Sequence, residues 1–391
     1  MAVRIGIDLG GTKIVAVALD GSDELVRLRT DTPRDDYRAT IDAIVNLVAA
    51  VEHFVESGRI PSPESRIPSP DARIPNPESR LPADLSNETR SAKLEARKAK
   101  AGIPSVGVGI PGTVSPSTGL VKNANSTWLI GEPLVEELES RLGRPVRIAN
   151  DANCFAMSEA ADGAGADADV VFGVIVGTGT GAGIVVRGHL LTGANAIAGE
   201  WGHNPLPWAE ANEIPGPLCY CGRHGCIETF LSGPGMAADH ERRTGERLLP
   251  PEIAKLAAAG DDNAEATLSR YEHRMARALA AIINVLDPDV IVLGGGMSNI
   301  ERLYENVPRL WGEFVFGAEG ESRLPADLSN EARSAKLEAR TAKAGIPNPA
   351  LRQAQGAPSL PRGESRVKTR LLRACHGDAS GVRGAAWLWP A

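Results

Sequence analysis

The chain has 391 residues, 42% apolar and 23% charged, which is long enough for two domains with substantial cores and too ordinary for a fibrous or wholly disordered protein. Its formal charge of −7 argues against a basic surface that coats nucleic acid or anionic membrane, leaving small or phosphorylated partners. No apolar run approaches the ~18 residues that span a bilayer, and no basic segment with an apolar signal core opens the chain, so it reads as cytoplasmic.

In chain order, Val3–Asp8 and Ile14–Leu19 are apolar runs around a glycine turn and predict a hairpin. Helical spacing follows over Thr40–Val55. A low-complexity block then occupies about 57–104. Its residues 78–104 recur at 321–347 with two differences, Thr89/Ala332 and Lys98/Thr341, inside a second block at about 319–366. Together the blocks hold 13 of the 28 prolines and none of the aromatic residues, so they add little core. They carry net charges of +3 and +2, which puts the remainder at −12. Both are expected to be surface insertions, because long surface loops cost little closure entropy.

Between the blocks, Val106–Ile110 predicts a buried strand, Leu134–Leu142 a helix and Val146–Ala149 another strand. The hairpin pattern recurs at Val170–Val176 and Gly183–Val186. Tyr271–Leu286 has the spacing of a buried helix, and Val290–Leu293 is a strand ended by three glycines. Such alternation in two hairpin-led halves implies an α/β protein of two lobes with a cleft between them.

Several clusters carry chemistry. Asp8-Leu9-Gly10-Gly11-Thr12-Lys13 puts a carboxylate before residues whose backbone can approach an anion, and Asp8 can position Mg²⁺ through water. A plain hairpin turn explains that hexapeptide equally well. Gly177-Thr178-Gly179-Thr180-Gly181-Ala182-Gly183 favours a second phosphate cradle, since mere connectivity needs no four alternating glycines. There is no G-x-x-x-x-G-K-[ST], and the one G-x-G-x-x-G, Gly107 to Gly112, contains Pro111 and opens no helix, which disfavours hydride transfer.

Cys219, Cys221 and Cys226 with His203 make a complete tetrahedral set for structural zinc, His203 being preferred to His224. Glu200 and Glu228 flank that cluster and suit the vicinal hydroxyls of a sugar, against the alternative of two solvated surface acids. Asp151 stands where a buried strand meets a small-residue helix, a position for a general base with Asn150 beside it. Taken alone, Asp151 reads equally well as a helix N-cap.

These segments resemble the ROK family of repressors, open reading frames and kinases within the actin and hexokinase superfamily. DLGGTK (8–13) and GTGTGAG (177–183) resemble its phosphate loops, IPGTVSP (110–116) its hinge segment and NDANCFA (150–156) its catalytic motif. GEWGH (199–203) with CYCGRHGCIE (219–228) is similar to its zinc and sugar motif, and LGGGMSN (293–299) to its adenosine loop.

The resemblance implies a two-lobed actin/hexokinase-like fold of ribonuclease H-like repeats, with an interlobe cleft and structural zinc. Residues 1–125 would form the phosphate-loop lobe, completed by a C-terminal helix at about 377–391, and 126–376 the larger lobe. It assigns ATP to Asp8, Gly10, Gly11, Thr12, Lys13, Gly177, Thr178, Gly179, Gly294, Gly295 and Gly296. Gly112, Thr113, Asn125, Asn150, Glu200, His203 and Glu228 would hold the sugar, with Asp151 as base.

KNANSTW (122–128), AGEWGHNPLPW (198–208) and HGDASGVRGAAWLW (376–389) most resemble fructokinases with mannokinase-type activity. The expected reaction is therefore ATP- and Mg²⁺-dependent phosphorylation of fructose at its 6-hydroxyl, in a homodimer. N-acetylglucosamine, N-acetylmannosamine and glucose kinases of the family are the alternative. A DNA-binding repressor is disfavoured, because the first loop begins at Asp8 and leaves no room for a winged domain, and a sugar-binding pseudo-enzyme is disfavoured by the intact Asp151 and glycine loops.

Overall fold

The computed structural model describes residues 3–57, 105–317 and 367–389. The expectations for the two low-complexity blocks fall almost wholly outside these residues.

The first sheet begins with β1 (Arg4–Leu9), β2 (Lys13–Asp20) and β3 (Asp23–Asp31), an antiparallel meander, and continues with β4 (Ser105–Ile110). Two-residue strands β5 (Thr113–Val114) and β6 (Val121–Lys122) form a small hairpin, and β7 (Val146–Asn150) returns to the sheet. The order is β3-β2-β1-β4-β7, with β4 and β7 parallel to β1. The second sheet comprises β8 (Val170–Val176), β9 (Thr180–Val186), β10 (His189–Leu190), β11 (Val290–Gly294) and β12 (Arg370–Arg373). Its order, β10-β9-β8-β11-β12, repeats that of the first.

Pairing of β7 with β4 carries the first sheet past residue 125, where the sequence reading placed the lobe boundary. The strand β3 was not foreseen, since at the sheet edge it alternates buried Val26 and Leu28 with charged residues and offers no continuous apolar run. The hairpin strands also start earlier than their apolar runs, at Lys13 and Thr180, because ladder pairing extends to polar residues beside each turn.

Each sheet buries its outer face against a long helix. Tyr37–Ser57 lays Ile41, Ile44, Leu47, Val48 and Val51 on the first sheet beside Ile7 and Val108. Asp262–Leu286 does the same on the second with Tyr271, Met275 and Leu279 against Phe172 and Leu293. That helix runs nine residues further back than its apolar stripe, to a cap in which Asp261 accepts from the Ala264 amide at 2.8 Å.

The inner faces meet two central helices, Asp151–Ala161 and Ser380–Trp387. Phe155, Ala156 and Met157 cover Val171, Val185 and Val292, while Val382 and Ala386 cover Val17 and Leu19. The helices cross so closely that a Cβ on Gly384 would overlap the carbonyl oxygen of Cys154. Beyond the crossing, buried Glu159 accepts from the amides of Ala164 and Cys375 and from Ser380 Oγ, each at 3.0 Å. These bonds offset the cost of burying a carboxylate.

Candidate active site

The functional side chains collect where the first sheet, the start of a central helix and the second sheet come together. The turn after β1 is pinned from behind: Thr32 Oγ1 donates to Gly10 O at 2.7 Å, Arg34 Nε to Gly11 O at 3.2 Å, and the Thr32 amide to Thr12 O at 3.0 Å. Thr32 and Arg34 escaped the sequence reading because they lie just beyond the unforeseen β3. Asp8, two residues before the turn, has its carboxyl pushed up to about 6, first by burial and then by the charge of Asp151, with Lys13 opposing.

Asp151 follows β7 at the first position of its helix. The N-cap is Asn150, whose Oδ1 accepts from the Asn153 amide at 2.8 Å, so the capping alternative for Asp151 is set aside. Asp151 Oδ1 accepts from Asn150 Nδ2 at 3.0 Å and from the Ala152 amide at 2.8 Å. One face of Asp151 remains open to solvent, yet protein crowds its carboxyl, and this burial raises its pKa against the two lowering amides. Two neighbouring carboxylates both held above their ordinary range make a site that a divalent cation would relieve, which is the chemistry expected of Mg²⁺.

The second glycine turn is tied to its surroundings by three contacts. Gly233 N donates to Gly177 O at 2.8 Å, and Thr180 N donates to Glu228 Oε2 at 3.0 Å. A Cβ on Gly179 would come within 2.9 Å of that same Glu228 oxygen. Thr178 sits in the turn between these contacts. The loop after β11 abuts it: a Cβ on Gly177 would approach the Gly296 amide to 3.9 Å, and one on Gly294 would overlap the Phe155 ring. Gly295 has φ +78°, a conformation that L side chains rarely adopt.

The cysteine cluster assembles as expected. One ligand atom each from His203, Cys219, Cys221 and Cys226 lies within 4.8 Å of the others. The edge from Cys219 Sγ to His203 Nδ1 is 3.5 Å and that between Cys221 and Cys226 Sγ is 3.6 Å. Zn–S bonds of about 2.3 Å and Zn–N bonds of about 2.0 Å give tetrahedral edges of roughly 3.5–3.8 Å, so these residues fit a closed zinc site. His224 turns elsewhere, its Nδ1 lying 3.1 Å from Gly216 O.

Of the other sugar candidates, Glu200 immediately precedes the turn Trp201–His203 without a side-chain capping bond, and Gly202 packs so tightly that a Cβ would overlap Thr180 O. Asn125 is exposed, its amide held by Pro111 O at 3.0 Å. Gly112 lies against Ala124, and Thr113 pairs with Lys122 in the small hairpin. Lys122 Nζ reaches Asn195 O at 3.2 Å, joining that hairpin to the loop before Glu200. Sequence reasoning also passed over Tyr220, whose hydroxyl lies 2.9 Å from His203 Nε2; its place between two ligand cysteines was the available signal.

Paired five-stranded sheets of one order, two glycine turns and a carboxylate pair define an actin- and hexokinase-like α/β fold. The model of the ROK family matches residues 66–338. N-acetyl-D-glucosamine kinases of Shigella boydii and Escherichia coli are each 33% identical over 390 residues, covering 98% of this chain and 98% of theirs. Among solved structures, a ROK hexokinase from Thermus thermophilus aligns with TM-score 0.67 at 24% identity, covering 99% of this chain and 97% of that one. A ROK glucokinase from Streptomyces griseus in complex with glucose and AMPPNP aligns with TM-score 0.59 at 23% identity, over 98% of both chains. The chain belongs to the ROK family and stands among its sugar kinases. No helix among the described residues is long and apolar enough to cross a membrane.

Proposed function

We propose that the chain transfers the γ-phosphoryl group of ATP to the 6-hydroxyl of N-acetyl-D-glucosamine. Support for the acceptor comes from the curated relatives that bear that name and match along the whole chain. They outweigh the short segments 122–128, 198–208 and 376–389 on which the expectation of fructose rested. Fructose, with mannose beside it, stays as the second reading because those segments are its specific support.

The observation that carries the reading is the Asp8–Asp151 pair, set beside glycine turns from both sheets. Asp151 accepts the hydroxyl proton as the sugar oxygen attacks, and Asn150 fixes both the carboxylate and the helix start. Gly10, Gly11, Thr12 and Lys13 take phosphate from one side and Gly177, Thr178 and Gly179 from the other. Gly294, Gly295 and Gly296 take the adenosine end. Asp8 would hold Mg²⁺ through water, which supplies charge neutralisation at the phosphates.

Gly112, Thr113, Asn125, Glu200, His203 and Glu228 complete the sugar site in this reading. His203, Cys219, Cys221 and Cys226 would hold zinc, which fixes the loop bearing those carboxylates. The two-lobed division, a homodimer and a cytoplasmic location belong to the same reading. Coupled ADP release with a panel of hexoses tests it: turnover is expected to be highest with N-acetylglucosamine. Preference for fructose overturns the acceptor assignment, and silence with every hexose overturns the kinase.

A further inference from the structure

We propose that the Tyr220 hydroxyl is a sugar-reading group of the acceptor site, held on His203 until the sugar arrives; this rests on the kinase reading above. Tyr220 lies between Cys219 and Cys221, and 82% of its surface is exposed. A phenol that open is not a core residue. Its position is nonetheless fixed, with the hydroxyl 2.9 Å from His203 Nε2 and the two rings edge to face at 5.0 Å.

The polarity of that hydrogen bond follows from the other side of the imidazole. His203 Nδ1 faces Cys219 Sγ at 3.5 Å, inside the four-residue cluster, and can serve the cluster as a ligand only through its lone pair. The ring proton then sits on Nε2 and is donated to Tyr220 Oη. The phenol accepts from His203 and keeps its own O–H free to donate.

The two acids nearest this phenol, Glu200 and Glu228, whose charges act on it, supply only acceptors when ionised. A sugar hydroxyl that donates to one of these acids can accept in turn, and Tyr220 supplies the proton for it.

The kinase reading puts this group at the end of the sugar remote from phosphoryl transfer. Gly181 packs on Ala152, which follows Asp151, while Thr180 holds Glu228 and sits under Gly202 next to His203. In that reading, a hexose with its 6-hydroxyl at Asp151 and its ring against Glu200, His203 and Glu228 turns its 1- and 2-positions towards the cysteine loop. Tyr220 reads the substituent at position 2, where N-acetylglucosamine and glucose differ.

The test is Tyr220→Phe in the full chain, which keeps the exposed ring and removes only the hydroxyl. Calorimetry is expected to show binding of N-acetylglucosamine weakened about tenfold and the ratio of its affinity to that of glucose altered at least fivefold. The KM for ATP, kcat at saturating sugar, zinc content per chain and melting temperature should stay at their wild-type values. Unchanged sugar affinity and ratio overturn the proposal, as does a variant that loses zinc or melts early together with all its activity. Because binding is read without turnover, a wild-type chain that binds both sugars and phosphorylates neither refutes the kinase reading and not the role of Tyr220. A chain that binds neither sugar refutes the role of Tyr220 and the N-acetylglucosamine assignment, while turnover with the hexose panel still decides the kinase.

Discussion

The Thr180 amide donates to Glu228 Oε2 at 3.0 Å, and this bond couples the second glycine turn to the cysteine loop. A residue expected only to grip sugar thus also braces a turn expected to hold phosphate. Glu228→Ala should leave a part-buried amide without its partner and cost about 1–3 kcal/mol of stability, besides raising the KM for sugar. Glu228→Gln keeps an acceptor at the same place, so urea denaturation should show it close to wild type while the KM still rises. Equal stability of the Ala and Gln variants would contradict the bracing role.

Asp151→Asn should reduce kcat by roughly 10²–10⁴, the range for loss of a general base, and change sugar affinity by less than about threefold. Since burial raises the carboxyl of Asp151, and that of Asp8 beside it, the acid limb of the pH–rate profile is expected above the ordinary carboxylate range. Stopped assays across pH check both points. Retained turnover in the Asn variant would remove Asp151 from the role of base.

Asp8 has an opposite effect on folding. Its pKa of about 6 exceeds the ordinary 3.8, so the folded chain binds this proton more tightly than the unfolded chain does. The stabilisation is complete below pH 3.8 and is lost as pH rises through 6, a difference of about 3 kcal/mol. In magnesium-free buffer, Asp8→Asn should therefore be more stable than wild type at pH 7–8 and lose that advantage near pH 4. Turnover should fall in the same variant. Denaturant melts at the two pH values decide the matter, and parallel stability curves would count against the buried, crowded carboxyl.

Metal analysis of the purified chain should return about one zinc per chain, and Cys226→Ser should lower both zinc content and melting temperature. A strong chelator should act on the wild type in the same direction. Less than half an equivalent of zinc in active protein would reject the clip.

Replacing residues 58–104 with a Gly/Ser linker of about ten residues should leave the enzyme folded and active. Ser105, just beyond that block, pairs with Arg4 at the start of β1, whereas Asp8 pairs with Gly109 near the other end. Likewise Arg370, soon after the second block, pairs with Val290 at the start of β11, and the glycine loop lies past its far end. Both blocks therefore join the sheets away from the acids. Loss of sugar phosphorylation in a well-folded deletion would give the block a role in the site.

Much of the fold was legible because its central strands are continuous apolar runs. β8 is Val170–Val176 as the spacing predicts, and the helix Leu134–Leu142 matches residue for residue, ending at Gly143 with φ +67°. The edge strand β3 was hidden by its half-polar pattern, and with it Thr32 and Arg34. Pairwise relations within the site were hidden for a different reason. The Thr180 amide carries no sequence signal for a carboxylate 48 residues away, and which of Asn150 and Asp151 caps the helix depends on backbone geometry that both side chains permit.

The repeated strand order has an electrical consequence. Counting back two residues from the first turn glycine gives Asp8 in one sheet and Ile175 in the other, so equivalent hairpins present an acid on one side and a methyl-bearing side chain on the other. The two halves are alike in shape and unlike in charge. A polyphosphate lying between them would experience a polarised seat, with a cation drawn towards the paired carboxylates Asp8 and Asp151, and its orientation would be set by that imbalance before any contact with the sugar is made.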